Sequence, residues 1–478
     1  MNKRAYNNHI PVFTNPAIYT DYYELVMAQG YFLAGRKDER AVFDYYFRNL
    51  PFKGGYVIFA GITDFLEILQ DYKFHEDELI FLENLGFKQE FLDYLSNFKI
   101  NLDIYAAREG EIVFPNTLSL RVEGNIIEAQ IIETILLNII NFESLIATKA
   151  ARMVHIAGHR KVLDFGLRRA QGLGGIQASK GAAIGGIEGT SNVYASFVHG
   201  TPVSGTMAHS WIQSFESELA AFRKFVEYYP DTAVLLVDTY DTLKSGIPNV
   251  ITVAKELEAK GHTLKGIRLD SGDLAYLSRK SREMLDKEGL HYVQIAASNQ
   301  LDEWVIQSLQ HQQAPIDLYG VGTRLVTAQD SPALDGVYKL SSIHSTPKMK
   351  VSENKSKSTL PGIKKVHRFL DKNGMMYCDG ILLEDEDAVT LLYHPLHPEK
   401  NSPVEGLEYY PLLKPMMKAG KLTRPLSTTE ASARYAKEQL NKLYPEHKRF
   451  ENPHIYKVGI SQKLMQLRDE LSKTHNHS

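Results

Sequence analysis

The sequence predicts an α/β protein in which an irregular α/β barrel is joined to a second, α+β domain. Three observations support this fold class. The chain has 478 residues, too many for one simple hydrophobic core. From about residue 160 onward, apolar segments alternate with amphipathic ones at intervals of roughly 25–30 residues, as in successive βα units. The first 115 residues instead contain the short alternating runs that are typical of antiparallel strands.

The N-terminal region, residues 1–115, is expected to form the α+β domain. It is rich in Tyr and Phe, and apolar and polar residues alternate from Arg40 to Arg48, as in a half-buried strand. The segment from Ile126 to Ala147 is the most apolar in the chain, and Glu and Asn residues interrupt it. Those polar residues favour a buried helix over a membrane span.

The central region, residues 116–341, is expected to form the barrel. Its predicted strands are Val162–Phe165, Ala233–Asp238, Leu264–Leu269, Tyr292–Ala297 and Ile316–Tyr319. Its predicted helices are Asn249–Lys260, Leu274–Glu288 and Asp302–Gln310. Continuous apolar runs of this kind are typical of parallel strands buried on both faces. Polar or glycine-rich residues follow each strand, at the edge where α/β folds carry their sites.

The C-terminal region, residues 342–478, is expected to complete part of the N-terminal domain and to end in helices. The Lys- and Ser-rich stretch Pro347–Ser358 predicts an exposed loop, and short strands are expected at Val366–Leu370 and Val389–Tyr393. A polar helix is expected from Thr428 to Leu443.

Composition excludes several classes of partner and site. Lys and Arg number 54 and Asp and Glu 57, a net charge of -3, so no overall positive field favours nucleic acid or an anionic membrane. The only cysteine, Cys378, excludes an intrachain disulfide and a cysteine-rich zinc site. A single cysteine is typical of a protein in the reducing cytoplasm. No apolar segment follows Lys3 and Arg4, so no signal peptide is predicted.

A histidine at a predicted helix start is the most informative local feature. Ser210 and Gln213 fit a capping box, and apolar residues recur at helical spacing from Trp211 to Val226. His209 would then lie beside free backbone N–H groups, at the positive end of the helix dipole. An imidazole there could pair with a phosphate or carry one.

Charged residues close two of the predicted strands. Arg268 and Asp270 alternate with apolar neighbours, so both are expected on one face, where unpaired buried charge is costly. Asp238 ends the strand before them and could orient a histidine through its second ring nitrogen. Asp241 and Asp273 are equally explained as helix caps.

Two loops after later strands could bind phosphate. Ser298 and Asn299 follow the strand that ends at Ala297, and Gly320-Val321-Gly322-Thr323 follows Tyr319. Small residues allow backbone N–H groups to close around phosphate oxygens, and late barrel loops often do so. We therefore expect phosphate contacts from Ser298, Asn299, Gly320, Gly322 and Thr323.

Other segments supply groups for a flat aromatic acid. Phe165 could stack on a ring, and Arg168 could form a bidentate pair with a carboxylate or phosphate. Thr190 and Ser191 offer hydroxyls at another strand–helix junction. Near the N-terminus, Thr20 or Asp21 could cap a helix that carries Tyr22 and Tyr23, whose rings could equally be packed in the core. Together these residues describe a pocket for a flat aromatic acid beside a phosphorylated sugar.

The ordered set of these motifs resembles the nicotinate phosphoribosyltransferase family, the type II phosphoribosyltransferases. The resemblance runs from Thr20 to about Leu340. Its motifs are Thr20–Tyr23, Asp164–Arg169, Gly189–Asn192, Gly205–Ser210, Asp238–Asp241, Arg268–Asp273 and Gly320–Thr323. The C-terminal region matches less clearly, and the metal-binding cysteines of some relatives are missing.

The resemblance implies that nicotinate and phosphoribosyl pyrophosphate react to nicotinate mononucleotide and pyrophosphate, the first step of NAD salvage from nicotinate. It also implies Mg²⁺, coupled ATP hydrolysis through a phosphohistidine at His209, and a homodimer with the active site at the subunit interface.

The resemblance further implies roles for single residues. Asp238 and Asp270 would orient His209 or the ribose and pyrophosphate, and Arg268 would contact phosphate or ribose. Phe165 and Tyr23, the latter from the other subunit, would sandwich the pyridine ring. Arg168 would face the nicotinate carboxylate or the 5′-phosphate. Ser191 stands where relatives that use nicotinamide have an aspartate, which favours the acid as substrate.

Two alternatives remain at the level of sequence. A quinolinate phosphoribosyltransferase shares the barrel type but uses no ATP, and it gives no reason for a histidine placed like His209. A non-catalytic barrel that binds sugar phosphates would leave the carboxylates of Asp238 and Asp270 without a role. Turnover with each pyridine acid, with and without ATP, separates the three.

Overall fold

The structure is a computed structural model that describes residues 16–351 and 358–476. It divides into two compact units. Unit 1 comprises Met1–Thr148 and Ala333–Ser478, and unit 2 comprises Lys149–Pro332. Lys3 and Arg4, and half of the predicted loop Pro347–Ser358, lie outside the described residues.

The first segment of unit 1 mixes helices with short strands. Its helices are α1 (Tyr22–Leu33), α2 (Ile62–Gln70), α3 (Glu76–Asn84), α4 (Gln89–Ser96) and α5 (Ile126–Ile131). Its strands are β1 (Arg40–Phe47), β2 (Val57–Ile58), β3 (Asp103–Ala106), β4 (Ile112–Val113) and β5 (Leu120–Asn125). The long helix α6 (Glu133–Ala157) continues across the division between the units.

The helical stretch Ile126–Ala157 is the one segment of the described residues that is long and apolar enough to cross a membrane. Two thirds of its most apolar 18-residue window (67%) is buried inside the protein. Ile135, Leu136, Ile139 and Ile140 are each no more than 1% exposed. These contacts are those of a core helix, as the interrupting polar residues predicted.

Unit 2 alternates strands with helices. Its strands are β6 (Lys161–Asp164), β7 (Gly189–Thr190), β8 (Val234–Leu236), β9 (Gly266–Leu269), β10 (Gln294–Ser298) and β11 (Leu318–Val321). Its helices are α7 (Gly174–Ile184), α8 (Val193–His199), α9 (His209–Gln213), α10 (Glu218–Tyr228), α11 (Ile247–Glu258), α12 (Leu274–Lys287), α13 (Glu303–His311) and α14 (Thr323–Val326).

The second segment of unit 1 is mostly β-structure. Its strands are β12 (Gly336–Ile343), β13 (Thr346–Pro347), β14 (Lys364–Leu370), β15 (Met376–Leu383), β16 (Leu391–Tyr393), β17 (Asn401–Pro403), β18 (Tyr409–Pro411), β19 (Lys414–Lys418), β20 (Lys421–Leu422) and β21 (Lys457–Ile460). Two helices, α15 (Thr429–Asn441) and α16 (Gln462–Asn476), accompany them.

Both segments of unit 1 share one seven-stranded sheet of order β13-β12-β1-β5-β3-β19-β20. β1 lies between β5 and β12 and is antiparallel to both. The units therefore divide at residues 148 and 332, not at the residues 115 and 341 that the sequence suggested. The reason is that β5 and β12 pair with β1, which places both in unit 1.

The six strands of unit 2 form one parallel sheet of order β7-β6-β11-β10-β9-β8. All five strands that the sequence predicted in this region are present, each shifted by no more than a few residues. Because the strands are parallel, their carboxyl ends meet at one edge. Among the described strands no ladder joins β7 to β8, so closure into a barrel stays a prediction.

The predicted helix from Trp211 to Val226 is wrong in one respect: two helices, α9 and α10, replace it. Ser210 lies inside α9, whose N-cap is Ala208 without a side-chain hydrogen bond. Ser217 caps α10 instead by accepting a hydrogen bond from the Ala220 N–H. Because α9 has only five residues, its dipole gives little support to an anion beside His209.

Candidate functional site

The centre of the site is a closed set of polar contacts around Arg268, at the carboxyl end of β9. The Arg268 guanidinium lies 2.7 Å from Asp270 Oδ1 through Nη2 and donates to Ser298 Oγ at 2.8 Å through Nε. Its Nη1 donates to Thr206 Oγ1 at 3.0 Å. The alternation that predicted Arg268 and Asp270 on one face is confirmed. The ion pair offsets part of the cost of partly burying the two charges.

Asp270 is held as a carboxylate by these neighbours. Its burial acts to raise its pKa, but the hydrogen bond from Ser298 and the charge of Arg268 outweigh burial and lower the pKa below its usual value. Asp270 is therefore an anion at neutral pH, available as a hydrogen-bond acceptor for a sugar hydroxyl.

His209 lies beside this group on the first turn of α9. Its Nδ1 is 3.1 Å from Thr239 Oγ1, and its Nε2 is 4.0 Å from Asp270 Oδ2. The side chain is 42% exposed, so the ring is accessible from solvent. One ring nitrogen is thus held by a hydroxyl while the other lies near a carboxylate.

Asp238 supports Asp270 rather than His209. Its Oδ2 accepts hydrogen bonds from the backbone N–H of Asp270 at 2.8 Å and from Ser271 Oγ at 2.6 Å. Its Oδ1 is buried and has no hydrogen-bond partner among the described residues. The sequence-based expectation that Asp238 orients the second ring nitrogen is not what the structure shows, since Thr239 occupies that position.

Phe165 forms an aromatic wall next to Arg268. The guanidinium carbon of Arg268 lies 5.6 Å from the ring centroid, within the range of a cation–π contact. The Phe165 backbone N–H donates to Val321 O at 2.6 Å. The ring lies directly against Gly320, because a Cβ added there would be 2.5 Å from Phe165 Cε2. Gly320 was predicted to bind phosphate. Its lack of a side chain is explained instead by its contact with the Phe165 ring.

Asp164 organises the residues beside β6 and β7. Its Oδ2 accepts from Ser179 Oγ and Thr190 Oγ1, both at 2.7 Å, and its Oδ1 accepts from the Gly166 N–H at 2.8 Å. Thr190 is buried and therefore positions this junction instead of offering its hydroxyl to a ligand. The neighbouring Ser191 is partly exposed, so its hydroxyl remains the candidate for substrate contact.

The remaining predicted contacts of unit 2 lie at the same edge of the sheet. Arg168 is exposed on a short 3-10 turn after β6. Asn299 follows β10 with a φ of 85°, and Gly322 precedes the short helix α14, which begins at Thr323. Ser298 points its hydroxyl to Asp270 and Arg268, a positioning role in place of the predicted phosphate contact.

Two predicted substrate residues belong to unit 1. Asp21 is the N-cap of α1, and its Oδ2 accepts a hydrogen bond from Thr134 Oγ1 at 3.1 Å. Tyr23 is 48% exposed on α1. Its partial burial and its hydrogen bond to Glu24 raise the pKa of Tyr23 above its usual value, so the hydroxyl stays protonated.

Sequence reasoning missed Thr206, Ser179 and Thr239 as parts of this site. Thr206 and Thr239 stand in motifs that the sequence singled out for other members. Their hydroxyls are the groups that contact Arg268 and His209. Their position in the sequence could have indicated them. In a loop that follows a strand, a hydroxyl side chain near a charged residue of the site is a candidate hydrogen-bond partner for that residue.

Family models and relatives account for most of the chain. A model of the nicotinate phosphoribosyltransferase N-terminal domain matches residues 18–141, the family model matches residues 160–392, and the model of the C-terminal domain matches residues 363–468. A nicotinate phosphoribosyltransferase of Bacillus subtilis is 42% identical over 457 residues, which is 93% of each chain. The chain belongs to the nicotinate phosphoribosyltransferase family.

Other relatives agree with this family. A nicotinate phosphoribosyltransferase of Caenorhabditis elegans is 36% identical and covers 94% of this chain and 92% of its own length. The crystal structure of human nicotinic acid phosphoribosyltransferase superimposes with a TM-score of 0.86 at 30% identity, covering 95% of this chain and 99% of the human one. The family that the ordered motifs resemble is therefore confirmed.

Proposed function

We propose that the protein transfers the phosphoribosyl group from phosphoribosyl pyrophosphate to nicotinate, giving nicotinate mononucleotide and pyrophosphate. The observation that carries this proposal is the set formed by Arg268, Asp270, Ser298 and Thr206 beside Phe165. It brings a cation for phosphate, an anion for ribose hydroxyls and an aromatic wall for a pyridine ring to one strand end.

The proposed reaction needs no protein nucleophile. The pyridine nitrogen of nicotinate forms the bond to C1 of the ribose as the C1–oxygen bond breaks, and pyrophosphate leaves with the electron pair. Positive charge develops on the ribose, near the carboxylate of Asp270, and negative charge develops on the leaving group, near Arg268. Fixed charges of this kind stabilise a transition state because they need no reorganisation.

His209 is proposed to couple ATP hydrolysis to this transfer. The imidazole takes the γ-phosphoryl group as ADP leaves, and water later releases it as phosphate. The exposure of His209 and its contacts with Thr239 and Asp270 support the proposal. A phosphoryl group on His209 would lie near the carboxylate of Asp270. That carboxylate is also the one proposed to contact the ribose, so phosphorylation would change the charge around the substrate.

Mg²⁺ is expected to enter with the phosphates of the substrate. No three His, Cys, Asp or Glu side chains of the described residues form a ligand cluster, and Mg²⁺ characteristically uses one or two carboxylates plus phosphates and water. The unpartnered buried Oδ1 of Asp238 makes Asp238 and Asp270 the fitting carboxylates. When bound there, Mg²⁺ would neutralise charge on the pyrophosphate.

A homodimer with a shared active site is also proposed. On α8 of unit 2, Val193 is 70% and Phe197 64% exposed, and on α1 of unit 1, Tyr22 is 58% and Tyr23 48% exposed. Apolar surfaces of this kind are typical of interaction sites. Two-fold symmetry would let Tyr23 of one copy cover the ring site at Phe165 of the other.

The first experiment measures nicotinate mononucleotide formation with nicotinate, nicotinamide or quinolinate, each with and without ATP and Mg²⁺. Turnover of nicotinate alone, stimulated by ATP, supports the proposal. Turnover of quinolinate with carbon dioxide release, or of none of the three, contradicts it. His209→Ala should lose the stimulation by ATP but keep slow transfer. His262→Ala is the matched control, because it removes a histidine that contacts Asp231 instead of the site.

Complementation tests the shared site separately. At nicotinate concentrations well below the KM, Tyr23→Ala and Phe165→Ala should each be strongly impaired. Random mixing of their subunits should raise the activity to about a quarter of the wild-type value, because half of the dimers carry one intact composite site. A mixture no more active than its components would refute the shared site without affecting the proposed reaction.

A further inference from the structure

A large cleft lies within unit 1, and none of the residues assigned to the reaction lines it. Its volume is about 1680 Å³. Residues of β1, β12, β14, β15, β21 and α16 line it, and none of its described lining residues belongs to unit 2. A cavity of this size accommodates a metabolite of nucleotide size.

The lining of the cleft carries a net positive charge, although the net charge of the whole chain is negative. The lining includes six Lys or Arg side chains and only three carboxylates, whereas the whole chain has a net charge of -3. A concave surface with an excess of charge of one sign raises the local electrostatic potential and attracts ligands of the opposite sign. The excess in the cleft therefore favours an anion.

Half of the cations are paired within the protein. Lys364 lies 2.8 Å from Asp44, and Arg468 lies 2.7 Å from Asp469. Lys339 lies 3.6 Å from Glu133. These three contribute little free charge to a ligand.

The other three cations are Arg48, Lys400 and Lys457. Their charged side-chain nitrogens form no ion pair with a carboxylate of the described residues, although the Arg48 backbone N–H donates to Asp335 Oδ1 at 3.2 Å. Arg48 contacts the ring of Tyr46 at 5.9 Å, and its buried Nε has no hydrogen-bond partner among the described residues. Lys457 lies 4.5 Å from the ring centroid of Tyr377.

His394 adds a donor of fixed tautomer. Its Nδ1 accepts hydrogen bonds from the backbone N–H groups of Leu396 and His397, each at 3.1 Å. The proton of the neutral ring therefore sits on Nε2, which can donate to an oxygen of a ligand. The cleft thus combines three unpaired cations with a neutral donor.

We infer that this cleft binds a small molecule carrying a di- or triphosphate group. Three unpaired cations match the charge of one such group, and Arg and Lys are the side chains that bind phosphate. An extended nucleic acid does not fit the negative charge of the chain as a whole. This inference does not rest on the proposed phosphoribosyl transfer, because it uses only residues of unit 1.

The test is titration calorimetry of the full-length protein with inorganic tripolyphosphate and, separately, with ATP, both without Mg²⁺. The cleft variant is Arg48→Gln/Lys400→Gln/Lys457→Gln. The matched control is Lys99→Gln/Lys265→Gln/Lys287→Gln, which removes the same charge from exposed positions outside the cleft. Arg268→Gln is present in all proteins to weaken binding at the unit 2 site, and thermal unfolding checks that each variant is folded.

The cleft variant should bind tripolyphosphate at least about tenfold more weakly than the control, since three charge-assisted contacts are lost. If ATP binding is weakened to the same extent, the ligand of the cleft is a nucleotide. If only tripolyphosphate binding is weakened, the ligand is an inorganic polyphosphate. Equal binding by the cleft and control variants would overturn the inference. Nicotinate mononucleotide formation by the protein without Arg268→Gln reports on the proposed reaction independently.

Discussion

Gly320 offers a sharp test of the aromatic wall at Phe165. An Ala Cβ at this position would lie 2.5 Å from Phe165 Cε2 and 2.6 Å from Cδ2, whereas carbon atoms in contact prefer about 3.5–4.0 Å. The ring must therefore shift by about 1 Å, which would disturb the stacking of a pyridine ring on it. Overpacking of this kind costs about 1–3 kcal/mol of folding free energy.

The effect of Gly320→Ala on binding follows from the loss of stacking. An offset aromatic pair contributes about 0.5–1.5 kcal/mol, so the KM for nicotinate should rise roughly two- to tenfold. The KM for phosphoribosyl pyrophosphate should change less, because the new Cβ lies 3.3 Å from Ser298 Cβ, a smaller overlap than with the ring, and Arg268 still contacts Asp270. Steady-state kinetics with each substrate varied in turn measure both constants.

A double-mutant cycle with Phe165→Leu isolates the clash. A leucine side chain in place of this ring lacks Cε2, and rotation can turn its Cδ atoms away from the new Cβ. The two substitutions should therefore be less harmful together than the sum of their separate effects. Urea unfolding of the four proteins gives the coupling free energy. If the losses of unfolding free energy in the two single variants simply add in the double variant, the proposed clash is refuted. An unchanged KM for nicotinate in Gly320→Ala would likewise refute the argument that the Phe165 ring leaves no room for a side chain at Gly320.

Three further substitutions test other contacts. Ser298→Ala should lower kcat/KM for phosphoribosyl pyrophosphate roughly tenfold, and it should move the acid limb of the pH profile to higher pH, since the hydrogen bond that lowers the pKa of Asp270 is lost; an unmoved limb would contradict this. Burial raises the pKa of Glu24 to about 7, so the folded state favours the protonated side chain. This contribution to stability is fully present below the ordinary pKa of a glutamate and is lost as the pH rises through about 7. Glu24→Gln should remove this loss, which amounts to about 3 kcal/mol in urea unfolding. Arg368→Met should cost about 3–5 kcal/mol of unfolding free energy, because the buried carboxylates of Asp379 and Glu111 lose their partner; a loss below about 1 kcal/mol would contradict a stabilising role for these ion pairs.

The sequence predicted the strands of unit 2 well because their physical signal is local. Leu235, Ile267 and Ile295 are fully buried and stand in apolar runs followed by polar residues, so pattern alone locates both the strand and its functional end. Arg268 and Asp270 could be placed on one face for the same reason: side chains alternate along a strand.

Features that depend on partners distant in the chain were not predictable in this way. Ala41 pairs with Ile343 across about 300 residues, and nothing in either segment specifies the other. The break between α9 and α10 was missed because Ser210 and Gln213 satisfy the spacing of a capping box although Ser217 provides the cap of α10. Thr239 was passed over in favour of Asp238 because a carboxylate is the commoner partner of a histidine.

The insertion of unit 2 between the two segments of unit 1 has a consequence for how the chain folds as it leaves the ribosome. Residues 149–332 are contiguous, so unit 2 can assemble once that stretch has emerged. Unit 1 cannot, because β1 needs β12 and β3 needs β19, whose residues are synthesised about 300 positions later. The early strands must therefore wait with unpaired edges while the inserted unit forms, a period in which they are open to pairing with other chains.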